Sequence, residues 1–298
     1  MKKIILVYNP VSGDATFKNK LDKMLHAFQQ RGCMLLLYRT QKENDDLFTA
    51  FVRNMAADGV LISGGDGTLH KIVNIMVREN IDLPIGIIAS GTSNDFASFL
   101  EIDVNLSAYL DAVVAGTTMP IDIGVVGGEY FINVASAGML TSVAHEVDVR
   151  LKNAFGKLAY YFRGLSELPR FRALNLTIDA DGEIHREKAF LFVVVNSGIV
   201  GSLKNIAVNA KVDDGKMDLV LLKRCSIGDL MSVIAEIVAG RSLSHTPNVL
   251  YLQAEKFVIS CDEVLESDLD GERGPKLPLE IQTLPAKMRL FYPADKTV

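Results

Sequence analysis

A short apolar run passes directly into a glycine-rich turn near residue 60. Val60, Leu61 and Ile62 lead to the motif Gly-Gly-Asp-Gly-Thr at residues 64–68, and apolar residues at helical spacing follow it. Three glycines leave backbone N–H groups unshielded. The start of a helix points such groups at one place, where the helix dipole also favours negative charge. A strand, turn and helix of this kind predict a βαβ unit that binds phosphate.

Asp66 is the informative residue of this turn. A carboxylate beside bound phosphates is repulsive unless Mg²⁺ or a transferred proton lies between them. The turn is therefore predicted to bring phosphate and Mg²⁺ together. The alternative is an ordinary strand-to-helix turn in which Asp66 only caps a helix.

The first 120 residues alternate short apolar runs with helical patterns, which is typical of βαβ units around a parallel sheet. Helical spacing covers the segments 47–59 and 69–76, and Asn105 is predicted to cap a further helix that ends at Gly116. The predicted strands are Ile4 to Tyr8, Met34 to Tyr38, Val60 to Ser63 and Ile85 to Ile88. We therefore predict a doubly wound α/β domain for residues 1–120.

After Pro120 the pattern changes to many short apolar or alternating segments separated by Gly, Asp and Asn. This predicts an antiparallel β-sandwich-like domain at residues 121–285, with helical segments near 140–169 and 226–239. The last residues, about 286–298, are predicted to return to the first domain. The predicted strands are Ile121 to Val126, Tyr130 to Val134, Leu174 to Asp179, Ala189 to Asn196, Met217 to Leu222, Val249 to Leu252, Phe257 to Ser260, Leu279 to Thr283 and Met288 to Tyr292.

Polar or glycine-containing loops follow several of the predicted parallel strands. Gly91, Thr92 and Asn94 follow the strand at 85–88, and Asn9 and Thr40 follow the first two strands. Ligands of open α/β sheets bind beyond the carboxyl ends of the strands, so these loops are predicted to converge on one nucleotide. Taken alone, the loop at Gly91 is equally consistent with an ordinary helix cap.

Composition and charge narrow the class of protein. The formal net charge of −5 gives no general reason to expect nucleic-acid binding. Three scattered cysteines predict neither a disulfide framework nor a thiolate zinc site, and they fit a reducing cytoplasm. No apolar run approaches the roughly 20 residues that cross a bilayer, so no transmembrane segment is predicted.

Four short motifs occur in order along the chain. They are Asn9-Pro10-x-Ser12-Gly13, Gly64-Gly65-Asp66-Gly67-Thr68, Gly91-Thr92-x-Asn94-Asp95-Phe96-Ala97 and Leu269-Asp270-Gly271-Glu272. In order and spacing this set resembles the diacylglycerol kinase catalytic family, which includes bacterial soluble diacylglycerol kinases, related bacterial lipid kinases and sphingosine kinases. The resemblance covers essentially the whole chain. It implies an ATP-binding domain at 1–120 and a lipid-substrate domain at 121–285.

The resemblance also implies an activity and a site. The chain would be an ATP- and Mg²⁺-dependent lipid kinase that phosphorylates the hydroxyl of diacylglycerol or a similar lipid. Glu272 would accept the hydroxyl proton with Asp270 beside it, and Asp66 would complete the catalytic carboxylates. Chemistry alone leaves open which acid is the base, or whether Asp270 and Glu272 are plain hairpin-turn residues. The ATP-binding residues implied are Asn9, Thr40, Gly64, Gly65, Asp66, Gly67, Thr68, Leu69, His70, Gly91, Thr92 and Asn94.

A second acidic cluster lies at residues 211–218. Three carboxylates around a glycine turn suit a hard cation such as Mg²⁺, although a solvated β-turn has the same composition. The related bacterial lipid kinases carry a structural Mg²⁺ at the matching turn. The resemblance implies that Asp214 and the carbonyls of Lys211 and Lys216 would hold it here.

The segment from Arg150 to Arg172 interleaves basic residues with aromatic and aliphatic ones. Such a segment suits an anionic bilayer surface, and it predicts peripheral association with the inner face of the membrane, where the lipid substrate lies. A core-packed helix with a solvated basic face is the alternative. An exposed edge of the β-rich domain could also pair two copies as a homodimer.

Two other functions compete with this interpretation. One is a different kinase with the same glycine motif, acting on NAD or a soluble substrate. The other is a nucleotide- or lipid-binding regulator without catalysis, against which the intact Asp66, Asp270 and Glu272 argue.

Overall fold

The computed structural model describes residues 1–12, 17–41, 45–138 and 173–294. The chain divides into two compact units. The first unit comprises Met1–Ile123 with Leu284–Val298, and the second comprises Gly124–Thr283. The last residues therefore belong with the amino-terminal part of the chain.

A parallel sheet forms the centre of the first unit. Its strands are β1 (Lys3–Tyr8), β2 (Met34–Arg39), β3 (Gly59–Gly64) and β4 (Ile85–Ala89). They lie in the order β4-β3-β1-β2, and every pair is parallel. The interior strands β1 and β3 are almost wholly buried and read as continuous apolar runs, as expected when both faces of a parallel sheet are covered.

Helices connect these strands, and the fifth helix has an ordinary cap at each end. Asn105 accepts a hydrogen bond from the Ala108 N–H at the start of the fifth helix, and Gly116 ends that helix with a φ of 83°. The helix predicted between these two residues is confirmed. The helices are α1 (Phe17–Gln30), α2 (Asp45–Met55), α3 (Asp66–Arg78), α4 (Asp95–Phe99) and α5 (Leu106–Ala115), with a 3₁₀ turn at Ile102–Asn105.

The second unit is built from antiparallel strands and one described helix, α6 (Ile227–Val238). Its strands include β6 (Glu129–Phe131), β7 (Val134–Gly138), β8 (Leu174–Ala180), β9 (Glu183–Val195), β10 (Met217–Lys223), β11 (Val249–Ala254), β12 (Lys256–Cys261), β13 (Glu266–Leu269) and β14 (Glu272–Lys276). The core contains the fully buried aromatic side chains of Phe131, Phe192 and Phe257. Strands β5 (Thr118–Val126) and β15 (Leu279–Phe291) run through the boundaries of the two units.

The predicted fold class is confirmed, but several strands differ from the prediction. The segment Tyr130 to Val134 forms the ends of two strands, because the N–H groups of Ile132 and Asn133 bond to a carboxylate instead of a ladder. The two strands predicted around Pro285 form the single strand β15. Strands β13 and β14 were not predicted, since β14 contains Gly274 and Pro275. Proline is tolerated there because β14 pairs with β13 alone within the described residues.

No helix in the described ranges is long and apolar enough to cross a membrane. The basic and aromatic segment from Arg150 to Arg172, together with the helix predicted near 140–169, lies outside the described residues.

Candidate active site

The two glycine loops of the first unit touch each other. The Ser90 N–H donates to the Gly64 carbonyl at 3.2 Å, which continues the pairing of β3 with β4. A Cβ placed on Gly65 would lie 3.2 Å from the Gly91 Cα, and one on Gly91 would lie far inside van der Waals distance of the Gly65 Cα. The backbones are this close only because both residues are glycine.

The loop at Gly65 lies where the strand order reverses, and the loop at Gly91 follows the next strand outward, β4. The chain moves from β1 outward to β2 and then crosses to β3 on the other side of β1. In open α/β sheets such a switch point forms a crevice at the carboxyl ends of the strands, and ligands bind there. Asn9 follows β1 and Gly65 follows β3, so both lie at this crevice.

Asn9 ties the loop after β1 to the glycine turn. Its N–H donates to the Ser63 carbonyl at 3.0 Å, and its side-chain Oδ1 accepts from the Val11 N–H at 3.1 Å. Its Nδ2 donates to the Thr68 Oγ1 at 3.0 Å. Because that oxygen already accepts this bond, the Thr68 hydroxyl is held in place with its own hydrogen directed elsewhere. The neighbouring motif residue Gly13 lies outside the described residues.

Asp66 does not cap its own helix. The N-cap of α3 is Gly65, which makes no side-chain capping bond, and Asp66 is the first residue of the helix. The Asp66 Oδ1 accepts instead from the Asp95 N–H at 3.0 Å, at the start of α4. The carboxylate therefore joins the two glycine loops and lies near the positive ends of two helices.

Asn94 holds the second loop closed through both atoms of its amide. Its Nδ2 donates to the Gly91 carbonyl and its Oδ1 accepts from the Gly91 N–H, each at 2.8 Å. Its φ of 52° is a left-handed conformation that asparagine tolerates better than most residues. Asn94 therefore supports the loop, whereas Thr92 in the same loop is exposed.

The other predicted ATP-binding residues occupy different positions around α3 and β2. Leu69 is buried, and its N–H is bonded to the Gly65 carbonyl at 3.1 Å. His70 is half-buried, with its carbonyl accepting from the Asn74 side chain at 3.0 Å. Thr40 lies directly after β2, and its N–H donates to the Tyr8 carbonyl at 3.0 Å.

In the second unit, Asp270 and Gly271 form the turn between β13 and β14. Their φ values of 53° and 92° are those of a tight hairpin turn, and Leu269 pairs directly with Glu272. The Asp270 carboxylate is buried and accepts hydrogen bonds from the N–H groups of Ile132, Asn133 and Val134, at 2.9, 2.9 and 2.8 Å. Glu272 is exposed at the start of β14. The two acids of this motif therefore have very different environments.

The acidic turn at residues 211–218 is also in the second unit. Gly215 has a φ of 77°, and the exposed Asp214 accepts from the Lys216 N–H at 3.0 Å and from the Gln253 Nε2 at 3.2 Å. Each carboxylate oxygen has a second lone pair, so Asp214 and nearby carbonyls provide the hard oxygen donors that Mg²⁺ prefers. Among the described residues no three His, Cys, Asp or Glu side chains are grouped as metal ligands, so carbonyls would have to complete the set.

Asp218 lies behind this turn and is buried against Tyr251. Burial raises the pKa of Asp218 to about 6, and the hydrogen bond from the Tyr251 hydroxyl opposes that rise. The same burial, together with the bond to Asp218, raises the pKa of Tyr251. The hydrogen bond between these two side chains joins β10 to β11 at the base of the turn.

A buried polar group beside Asp270 was not found from the sequence. Asn133, Asn196 and Ser197 are almost completely buried. Asn196 donates to the carbonyls of Ile132 and Asn133, and the Ser197 hydroxyl donates to the Asn133 side chain. The available signal is weak: each asparagine directly follows an apolar strand pattern, where a polar residue usually marks the surface.

Comparison with known protein families and relatives agrees with these motifs. The diacylglycerol kinase catalytic domain matches residues 3–126, and the YegS C-terminal NAD kinase beta sandwich-like domain matches residues 133–292. The diacylglycerol kinase of Bacillus subtilis (strain 168) is 33% identical over 298 residues, which cover 99% of this chain and 98% of that protein. The chain belongs to the diacylglycerol kinase family. It is therefore an enzyme, a kinase, as the motifs predict.

Other relatives extend the same comparison. The diacylglycerol kinase of Staphylococcus aureus (strain Newman) is 32% identical over 295 residues, covering 99% of this chain and 93% of that protein. A crystal structure from Bacillus anthracis str. Sterne, named as a candidate diacylglycerol kinase, has a TM-score of 0.81 at 24% identity. It covers 98% of this chain and 95% of its own, and it establishes the shared fold.

Proposed function

We propose that this kinase uses ATP and Mg²⁺ to phosphorylate the hydroxyl of diacylglycerol, giving phosphatidic acid. The observation that carries the proposal is that the glycine loop at Gly65, at the switch point of a parallel sheet, contacts the glycine loop at Gly91 after the neighbouring strand β4. Membership of the diacylglycerol kinase family supports the lipid acceptor.

The phosphate groups of ATP are proposed to bind at the amino terminus of α3. The helix dipole and the backbone N–H groups of the first turn favour negative charge there. The Thr68 hydroxyl, oriented by Asn9, is a further donor to a phosphate oxygen. Asp66 is the residue that would hold Mg²⁺ at the phosphates, and bound Mg²⁺ would neutralise charge that develops during transfer.

Phosphoryl transfer to an alcohol needs a proton acceptor. The hydroxyl oxygen of the lipid forms a bond to the γ-phosphorus, the bond from that phosphorus to the β,γ-bridging oxygen breaks, and ADP leaves. We propose that Glu272 receives the hydroxyl proton. Its exposed carboxylate suits this role, because a base must reach the proton it removes.

A transfer assay tests the acceptor. With radiolabelled ATP and Mg²⁺, we expect label in phosphatidic acid when mixed micelles contain diacylglycerol. We expect no label in NADP when NAD is offered instead. NAD is the informative competitor because the matching family of the second unit is described as NAD kinase-like. Phosphate transfer to NAD but not to diacylglycerol would reject the lipid acceptor and indicate that the substrate is soluble.

A structural Mg²⁺ is proposed at the turn of Asp214, with the carbonyls of Lys211 and Lys216. We expect Mg²⁺ without nucleotide to raise the melting temperature of the wild type, since a ligand at 100 times its Kd stabilises by about 2.7 kcal/mol. Asp214→Asn should abolish most of this rise. Asp213→Asn, an exposed neighbouring carboxylate outside the proposed ligand set, is the control and should retain it. If Mg²⁺ raises the melting temperature of Asp214→Asn as much as that of the wild type, the proposal that this turn binds Mg²⁺ is wrong.

Two further features remain proposals. The enzyme is proposed to work peripherally at the inner face of the membrane, with the segment from Arg150 to Arg172 as the basic docking element. A homodimer through an exposed strand of the second unit is proposed as well; β11 and β14 each pair with one strand only within the described residues.

A further inference from the structure

The Asp270 carboxylate fills a concavity made by three successive backbone N–H groups. Such runs of N–H groups commonly bind external anions, yet this one is occupied by the protein's own carboxylate. Asp270 is 6% exposed, and three of its roughly four acceptor positions are taken by Ile132, Asn133 and Val134. We name the Asp270 carboxylate with these three N–H groups the Asp270 clamp.

The backbone beside the clamp is anchored too. The Asp270 N–H donates to the Val134 carbonyl at 2.9 Å, and the Gly271 N–H donates to the Asp268 Oδ1 at 2.9 Å. Both residues of the turn therefore hold fixed positions relative to β7 and β13. Glu272 follows immediately, so the start of its backbone is fixed by the same bonds.

Buried side chains brace the clamp from the other side. The Asn133 Nδ2 donates to the Ile199 carbonyl at 3.0 Å, and the Asn133 Oδ1 accepts from the Ser197 hydroxyl. The Asn196 N–H donates to the Asn133 carbonyl at 2.8 Å, and its Nδ2 donates to the Ile132 carbonyl at 3.0 Å. The residues that bind Asp270 are thus held between the hairpin and the segment after β9.

We propose that Asp270 is a positioning residue that fixes the turn carrying Glu272, and that it is not the proton acceptor. The proposal rests on the proposed function, in which Glu272 acts as the base. A base must offer a lone pair to the substrate hydroxyl, whereas the Asp270 carboxylate is buried and bound by the backbone. Asp270 acts on the reaction through the geometry of its neighbour.

Asp270→Asn in the full-length protein tests the clamp. The amide places an NH₂ group against backbone N–H donors, so at least one of the three bonds is lost. We expect hydrogen exchange to accelerate at the amides of residues 132–134. We expect kcat to fall about 10²-fold, the cost of a ~1 Å misplacement, with the KM for ATP within about twofold of wild type.

Chemical rescue separates positioning from proton transfer. Formate can replace an exposed carboxylate base, so it should restore at least about tenfold of the activity lost in Glu272→Ala and none of that lost in Asp270→Asn. Rescue of Asp270→Asn alone would make Asp270 the base and overturn the proposal. Unchanged exchange at residues 132–134 in Asp270→Asn would also overturn it.

Two controls keep the outcomes distinct. If Asp270→Asn does not fold, Glu272→Ala decides, since it leaves all three bonds of the clamp in place. Loss of activity with formate rescue and wild-type exchange at 132–134 supports the proposal, and wild-type activity rejects it. If the wild type transfers no phosphate to diacylglycerol, the proposed function fails. The exchange comparison still reports on the clamp in that case.

Discussion

Glu272→Ala should lower the turnover of lipid phosphorylation by about 10³-fold while ATP binding stays at the wild-type level. General-base catalysis contributes about 10²- to 10⁴-fold, and alanine removes the carboxylate completely. The exposed Glu272 side chain is proposed to meet the lipid hydroxyl and is not among the proposed ATP-binding residues, so the affinity for ATP should not depend on it. Single-turnover kinetics and calorimetric ATP titration measure the two quantities separately.

Glu266→Ala is the matched control for this variant. Glu266 is an exposed glutamate on the partner strand of the same hairpin, opposite Lys276, and it has no proposed role in the reaction. It should retain wild-type turnover. Wild-type turnover in Glu272→Ala would reject Glu272 as the base, and an equal loss in both variants would indicate that the hairpin as a whole was disturbed.

The parallel sheet and the glycine turn after β3 could be predicted because their determinants are consecutive in the chain. The conformations of an apolar strand, a glycine turn and a helix are determined largely by their own residues. The observed ends of β1, β3 and β4 lie within a residue or two of the predicted ends. Local sequence does not indicate which groups the polar side chains bind by hydrogen bonds. The alternative in which Asp66 only caps its own helix is wrong, because Asp66 bonds to Asp95 at the start of a different helix; its role at Mg²⁺ stays a prediction.

The Asp270 clamp could not be predicted either, because the hydrogen-bond partners of Asp270 are even more distant in the sequence. Asp270 and the N–H groups that it binds are separated by 136 to 138 residues, and nothing near Asp270 in the sequence indicates them. The clamp also explains why Tyr130 to Val134 is divided between two strands. Its apolar pattern favours one strand, but the carboxylate draws three successive N–H groups to one point, which a ladder with alternating N–H directions cannot provide.

Several motif residues of the first unit use their side chains to build the site. Asn9 and Asn94 donate to and accept from neighbouring groups of the protein, and Asp66 joins one loop to the other. In the proposed site a nucleotide would therefore meet mainly backbone and hydroxyl groups whose positions these side chains determine. Backbone positions tolerate little displacement, so the contact between the loops should be the most sensitive part of the first unit.

Gly91→Ala tests that sensitivity. The new methyl group would overlap the Gly65 Cα and lie 2.8 Å from the Asn94 Oδ1. The Gly65 Cα is a backbone atom and cannot rotate out of the way as a side chain could, so the two loops must separate. Overpacking of this kind costs about 1–3 kcal/mol, and a ~1 Å displacement of binding groups costs about 10²-fold. We expect the KM for ATP to rise by about 10- to 10²-fold and the melting temperature to fall by only several degrees.

Gly228→Ala is the control for the added methyl group. Gly228 lies near the start of α6 in the second unit, where the nearest atom to a new Cβ is the Ser226 Oγ at 3.7 Å. Alanine favours the helix over glycine by up to about 1 kcal/mol, so stability should stay equal or rise slightly and the KM for ATP should not change. An unchanged KM in Gly91→Ala as well would mean that ATP does not depend on the contact between the loops. The nucleotide site would then have to be sought away from the switch point of the sheet.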